Sequence, residues 1–290
     1  MGSGSFSRTA YAAYNCSLGR SYDEDTGRIS GQEFVAREID ESLDPRNFVL
    51  RECANSEEHP NTVPVILALD VTGSMGSACQ ETAEALGVIM EELYKKFQDI
   101  EFCVMGIGDL AYDRAPIQMS QFESDIRVAE ALDKIYMEHG GGGNAFESYT
   151  AAWYMGARHT KLDAFDKQGR KGIIITMGDE PLNPYLPKGA LNRAVKVHEQ
   201  ADVETSELYK EVTKKFDVYH IAVDDRANCY IAYADRIKES FGPLLGDRLK
   251  VSTINNLSNT IIECISESLG AVSTDTPVKN PVNDKGEISW

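Results

Sequence analysis

The chain has 290 residues, 42% of them hydrophobic, and a formal net charge of −17. That length and apolar content suffice for a sizeable core, whereas the acidic balance argues against nucleic acid, whose phosphates need clustered Lys and Arg. The only short basic clusters, KQGRK (167–171) and VTKKF (212–216), are sparse, so a divalent cation or a basic protein surface is the more natural partner.

In chain order, residues 1–62 show weak periodicity and many turn formers, as in GSGSFS, SYDEDTGRIS and LDPRNFVLRECANSEEHPN. They read as an N-terminal arm packed on a domain spanning 63–270. Tyr11, Tyr14 and Tyr22 in this arm serve either to contact a partner or to cover the domain's own flank. The first residues lack the apolar stretch of a signal peptide, and no run approaches transmembrane length. Cys16, Cys53, Cys79, Cys103, Cys229 and Cys264 show no CxxC spacing. They read as reduced, buried thiols of a cytoplasmic protein, although their number alone leaves pairing open.

From residue 63 the pattern sharpens. VPVILALD (63–70) is a near-continuous apolar run, as in a strand covered on both faces. Residues 78–96 have helical spacing, with Ala85, Leu86, Ile89, Met90 and Leu93 on one side. IEFCVMGIGD (100–109) is the next strand, and APIQMS (115–120) a short edge strand. A helix is expected over 122–139, then a glycine loop running into another helix over 140–159. KGIIITMGDEP (171–181) repeats the opening pattern of apolar strand then aspartate. The connection 181–204 is long and holds a short helix near 189–198. Helix (205–216), strand (217–225), helix (229–242), strand (247–254) and helix (256–270) follow, and 271–290 is a polar tail. Alternating strands and helices define an α/β domain with a mostly parallel central sheet. Function in such folds gathers at the carboxyl ends of strands, and Asp70, Asp109, Asp179 and Asp224 all fall there.

The stretch DVTGS then gains meaning. Asp70, Thr72 and Ser74 alternate just past a strand end, where they can point into one volume. A carboxylate with two hydroxyls is a hard, all-oxygen donor set suited to Mg²⁺. Read without a ligand, the same stretch is a helix-capping loop. His220, Trp153 and Tyr154 read as packed core residues, and no histidine spacing makes a zinc site.

DVTGS and the order of elements over 63–270 resemble the von Willebrand factor A family. That family's metal-ion-dependent adhesion site carries Asp-x-Ser-x-Ser after the first strand. The resemblance implies a Rossmann-like, doubly wound three-layer sandwich. It implies a metal held by Asp70, Thr72 and Ser74, with Thr in place of the middle Ser. It also matches Asn144, in GGGGNAFES, to the family's second-loop Thr or Asp, and Asp179 to its third-loop Asp. Asn144 departs from the pattern and brings no charge; it reads equally as a helix N-cap, with Glu147 completing a capping box. Asp109 either orients a metal-bound water or forms an Asx turn, and Glu180 either supports the site or lies on the surface. The implied function is divalent-cation-dependent protein binding, as a scaffold or adaptor. Mg²⁺, with Mn²⁺ or Ca²⁺ as substitutes, would hold a partner's Asp or Glu. Intracellular relatives work beside AAA+ ATPases or inside multiprotein assemblies, which implies a cytoplasmic protein with neither membrane nor nucleic acid as partner.

The alternative is a metal-dependent hydrolase or phosphatase that activates a water at the same site. Its usual marks are missing. A haloacid-dehalogenase-type phosphatase needs an acid where Thr72 stands, no GxxxxGK[ST] run exists, and DVTGSMG is not a G-x-S-x-G elbow.

Overall fold

The computed structural model describes residues 4–97, 99–138, 146–226 and 228–270. At its centre lies a six-stranded sheet made of β1 (Val63–Asp70), β2 (Ile100–Ile107), β3 (Ile117–Met119), β4 (Gly172–Gly178), β5 (Phe216–Asp224) and β6 (Leu249–Thr253). The spatial order is β6-β5-β4-β1-β2-β3. All neighbours are parallel except β3, which runs antiparallel to β2.

β1 occupies the middle, and all 8 of its residues are buried. Its side chains alternate between two cores, which explains the unbroken apolar run. Val65, Leu67 and Leu69 face one core, shared with α2 (Gly76–Glu84), α3 (Leu86–Tyr94), α4 (Arg127–Asp133) and α10 (Leu257–Ser268). Ile66 and Ala68 face the other, shared with α5 (Thr150–Arg158), α6 (Asp163–Gln168), α7 (Lys188–Val195), α8 (Thr205–Val212) and α9 (Tyr230–Leu245). Each fully buried Ile or Leu contributes about 1.5–3 kcal/mol. The molecule is thus an α/β sandwich with helices on both faces of a mostly parallel sheet. The chain leaves β1 toward one face and β4 toward the other, so a crevice opens between their carboxyl ends.

The arm residues cover the domain's own flank. α1 (Arg8–Ser17) buries Tyr11, whose hydroxyl donates to the Ala83 carbonyl at 3.3 Å. The Tyr11 ring fills the space over Gly87, where an added Cβ would come within 2.6 Å of it. Further along, the amide of Met119 donates to the Leu43 carbonyl, and Arg51–Cys53 pairs with Thr160–Leu162.

Several expected elements are shorter than their sequence pattern. The helix expected over 78–96 breaks at Ala85 into α2 and α3. The helix expected over 122–139 is confined to α4, although Ala129, Leu132, Ile135 and Tyr136 are all buried. The cause is on both sides. Glu123 makes a two-bond bridge with Phe102, and the Gln118 side chain holds both the amide and carbonyl of Tyr136 at 2.8 Å, keeping that stretch extended. α5 begins only at Thr150, with Tyr149 as its N-cap, so Glu147 does not complete a capping box at this helix. Within 181–204, α7 is enclosed by a ribbon pairing Tyr185–Leu186 with Val203–Glu204. The six cysteines are free thiols; four are buried, but Cys16 is exposed and Cys229 half-buried. No helix among the described residues is long and apolar enough to cross a membrane.

Candidate metal centre

Asp70 ends β1 and Asp179 follows β4 directly, so the two carboxylates straddle the crevice between these strands. Both residues are 0% exposed. The loop after β1 turns back at once through a short 3₁₀ turn, Gly73–Met75, into α2. That turn folds the two hydroxyls over the strand end. Thr72 donates its amide and hydroxyl to Asp70 Oδ1 at 2.9 and 2.6 Å. Ser74 Oγ lies 3.5 Å from the Thr72 hydroxyl and donates to Asp179 Oδ1 at 3.2 Å. Asp70, Thr72, Ser74 and Asp179 therefore form one continuous chain of oxygens. The Cys229 amide, just ahead of α9, donates to Asp179 Oδ2 at 2.7 Å.

Tyr149 is the residue that sequence reasoning missed. Its hydroxyl donates to Asp70 Oδ2 at 2.8 Å and receives the Glu180 amide at 3.3 Å. The ring packs under the crevice against His220 and Phe241. It fits there because residue 178 is glycine: an added Cβ would lie 1.9 Å from the Tyr149 hydroxyl. The only signal available in the sequence was the glycine of TMGDE. His220 itself is buried and stacks on Phe241 at 3.8 Å, as a packed strand residue.

The surroundings are strongly acidic. Burial, followed by the field of Asp179, holds the Asp70 carboxyl well above its usual value. Burial likewise raises Asp179. Glu180 is pushed up to about 7 by burial and then by Asp179 and Asp109. Glu147 is 3% exposed and raised first by burial, then by Asp70, Glu180, Asp113 and Asp109. Among the described residues, Glu147 Oε2 and Asp109 Oδ2 are buried oxygens with no hydrogen-bond partner. Such orphaned acceptors are costly without a compensating charge or donor.

These observations test the fit of a divalent cation. Two buried carboxylates joined by two hydroxyls, with further acids close by and two unsatisfied oxygens, suit a hard cation that keeps some water. Among the described residues, no group of three or more His, Cys, Asp or Glu side chains converges to hold a metal on its own. A cation here would have to draw on the two hydroxyls as well as the carboxylates, an all-oxygen set. Asp109 uses Oδ1 to receive the Ala111 amide at 2.7 Å, an Asx-type turn, while its other oxygen is the orphan. Asp224 ends β5, apart from this network. Asn144, and the glycine run before it, lie outside the described residues.

No family model matches the chain, and no curated protein matches it. Among solved structures, the pilus adhesin SpaC from Lactobacillus rhamnosus GG in its open conformation is similar. It has 9% identity over 74% of this chain and 30% of the adhesin, with a TM-score of 0.49. Proximal thread matrix protein 1 from the mussel byssus has 10% identity over 72% of this chain and 48% of that one, with a TM-score of 0.44. The chain thus spans less than a third of the adhesin and just under half of the mussel protein.

Proposed function

We propose that this chain is a divalent-cation-dependent protein-binding module of the von Willebrand factor A type, with Mg²⁺ as its natural ion and Mn²⁺ or Ca²⁺ as substitutes. The observation that carries this reading is the oxygen chain Asp70–Thr72–Ser74–Asp179 spanning the crevice at the carboxyl ends of β1 and β4. The sequence spacing singled out Asp70, Thr72 and Ser74, and the family resemblance added Asp179 and Asn144.

Thr72 and Ser74 are neutral donors that leave the set's charge to the two aspartates. Thr72 and Tyr149 each hold one Asp70 oxygen, which fixes the plane of that carboxylate. The Cys229 amide does the same for Asp179. Asp109 and Glu147, each with an unsatisfied oxygen, are placed to accept hydrogen bonds from metal-bound water. When bound, the cation would offer an electrophilic position to a carboxylate from outside. The partner is therefore a protein presenting Asp or Glu, and a cytoplasmic scaffold acting beside an AAA+ ATPase or within a multiprotein assembly is the setting we favour.

Calorimetric titration of Mg²⁺, Mn²⁺ and Ca²⁺ into wild type and D70A tests the metal. Heat of binding is expected for wild type and absent for D70A; identical traces for the two would remove the metal site. Titrating a short acidic peptide with and without Mg²⁺ tests the partner chemistry. Metal-dependent hydrolysis of phosphate or carboxylate esters, abolished by D70A, would instead favour the hydrolase reading.

A further inference from the structure

We propose that a cleft of about 190 Å³ framed by Arg46, Arg114 and Arg193, bordered by the loop that also carries Asp109, is a second anion site. In our reading it takes a second carboxylate of the same acidic partner. The inference rests on the proposed function for the partner's identity, but the cleft's own chemistry does not depend on a metal.

The chain carries 46 acidic and 29 basic side chains, so a cleft framed by three guanidiniums stands out against the acidic balance. Several arginines elsewhere are paired, Arg20 with Asp133, Arg28 with Glu81, Arg127 with Glu123 and Asp125, Arg158 with Glu199 and Glu211, while Arg37 and Arg226, like Arg114 and Arg193, form no ion pair among the described residues. What sets this cleft apart is that its arginines come together. Three separate parts of the chain bring arginines to this one cleft: the arm (Arg46), the loop between β2 and β3 (Arg114) and α7 (Arg193). Among the described residues, the Arg114 and Arg193 side chains form no ion pair or hydrogen bond. Arg114 only lies over the Tyr136 ring, 5.9 Å from its centre. Arg46 is occupied by Asp44, to which Nη2 donates at 2.7 Å. Asp113 also lines the cleft, but its carboxylate receives the Asp109 amide at 2.7 Å. With Arg46 paired to Asp44 and Asp113 still present, the cleft keeps an excess of one positive charge, carried by two guanidiniums that form no ion pair.

The floor is apolar, from Leu110, Ala115, Ile117 and Ala190, all buried. A planar guanidinium pairs bidentately with a carboxylate. The loop that carries Arg114 is held in place: the amides of Arg114 and Ala115 donate to Glu138 Oε1 at 2.8 and 2.7 Å. The same loop carries Asp109, and the Leu110 amide donates to Ser148 Oγ, next to Tyr149. The cleft and the metal rim therefore share one rigid loop. A partner segment with two acids could place one at the metal and the other between Arg114 and Arg193.

Fluorescence-labelled hexaglutamate is the probe, titrated into wild type, D70A and R114A/R193A, each in Mg²⁺ and in EDTA. Both arginines are exposed, so the double variant is expected to keep its melting temperature. In EDTA, wild type and D70A should bind alike, and R114A/R193A should bind roughly tenfold more weakly or worse. In Mg²⁺, wild type should tighten and D70A should not. Equal binding by R114A/R193A and wild type in both buffers would overturn the cleft. Displacement of the probe by inorganic phosphate at a lower concentration than by glutamate would make it a phosphate site, which also overturns the assignment. Arginine dependence without any Mg²⁺ dependence would support the cleft while removing the metal reading.

Discussion

Two carboxylate environments in this molecule make opposite arrangements for their charge. Asp133, at the end of α4, is met by the arm: Arg20 donates to both its oxygens, and Tyr14 and Gln32 add hydrogen bonds at 2.6 and 2.9 Å. Its side chain is 17% exposed and that of Arg20 only 9%. Asp70 and Asp179, between β1 and β4, are fully buried and are met only by hydroxyls and amides. More acids surround them; among the described residues their hydrogen-bond donors are hydroxyls and amides, and the guanidinium of Arg236 acts on neighbouring Glu180, where it offsets part of the upward push on that carboxyl. A carboxylate that serves the fold is supplied with its counter-charge by the same chain. One left without it, at a topological switch point, is the kind of group our proposed function assigns to an external cation.

The sharpest way to break this comparison is R20A. Removing the guanidinium leaves a partly buried carboxylate with only Tyr14 and Gln32 as donors, so a loss of about 1.5–3 kcal/mol is expected in urea denaturation. The double variant R20M/D133N should recover most of it. If R20A cost no more than an exposed pair, Asp133 would not be the compensated case it is taken for here. G178A comes next. Its Cβ would collide with the Tyr149 hydroxyl at 1.9 Å and with Cζ at 2.3 Å. Overpacking of this kind costs about 1–3 kcal/mol. It should also weaken Mg²⁺ binding, because Tyr149 can no longer hold Asp70; unchanged calorimetric Mg²⁺ affinity in G178A would deny Tyr149 that role.

D70N attacks the other side of the comparison and has the reverse sign. It removes a buried charge that faces Asp179, so the metal-free protein should gain about 1 kcal/mol or more. Thermal melts with and without Mg²⁺ read both effects at once. Wild type should gain stability from the ion by mass action, and D70N should not. A D70N protein that is less stable than wild type without metal would mean that Asp70 is compensated after all.

The α/β class and the location of the site were legible because both depend on local pattern. Apolar runs of strand length followed by Asp gave β1 and β4, and the alternation of Asp70, Thr72 and Ser74 gave the rim. What was not legible depends on contacts far apart in sequence. The end of α4 is set by the Gln118 side chain, not by any residue of the helix. Tyr149 reaches Asp70 from 79 residues away, through a gap that only a missing Cβ at Gly178 provides. Glu147 looked like a capping residue, and its burial beside the rim follows from its bridge to Leu182 in the loop after β4. The arginine cleft is assembled from three segments, none of which is basic by itself.

The most gradual prediction separates burial from site chemistry by pH. Glu180 and Glu101 are both pushed up to about 7 from 4.5, each by burial first. Glu101 lies in β2, away from the rim, and is 2% exposed. Between the unfolded and folded values, the folded chain binds more protons than the unfolded chain. The derivative of unfolding free energy with pH is then negative, so metal-free stability should fall as pH rises from about 4.5 through 7. Each such group contributes at most about 1.4 kcal/mol per pH unit, less for half-buried Glu180, which solvent screens. Denaturation midpoints measured across this range should fall in wild type and fall less steeply in E101Q. Saturating Mg²⁺ should remove the part that comes from Asp70 and Glu180, because a bound cation favours their ionised forms, and should leave the Glu101 part untouched. If Mg²⁺ left the whole slope unchanged while E101Q abolished it, burial alone would govern the pH response, and the rim would hold no charge that a cation could relieve.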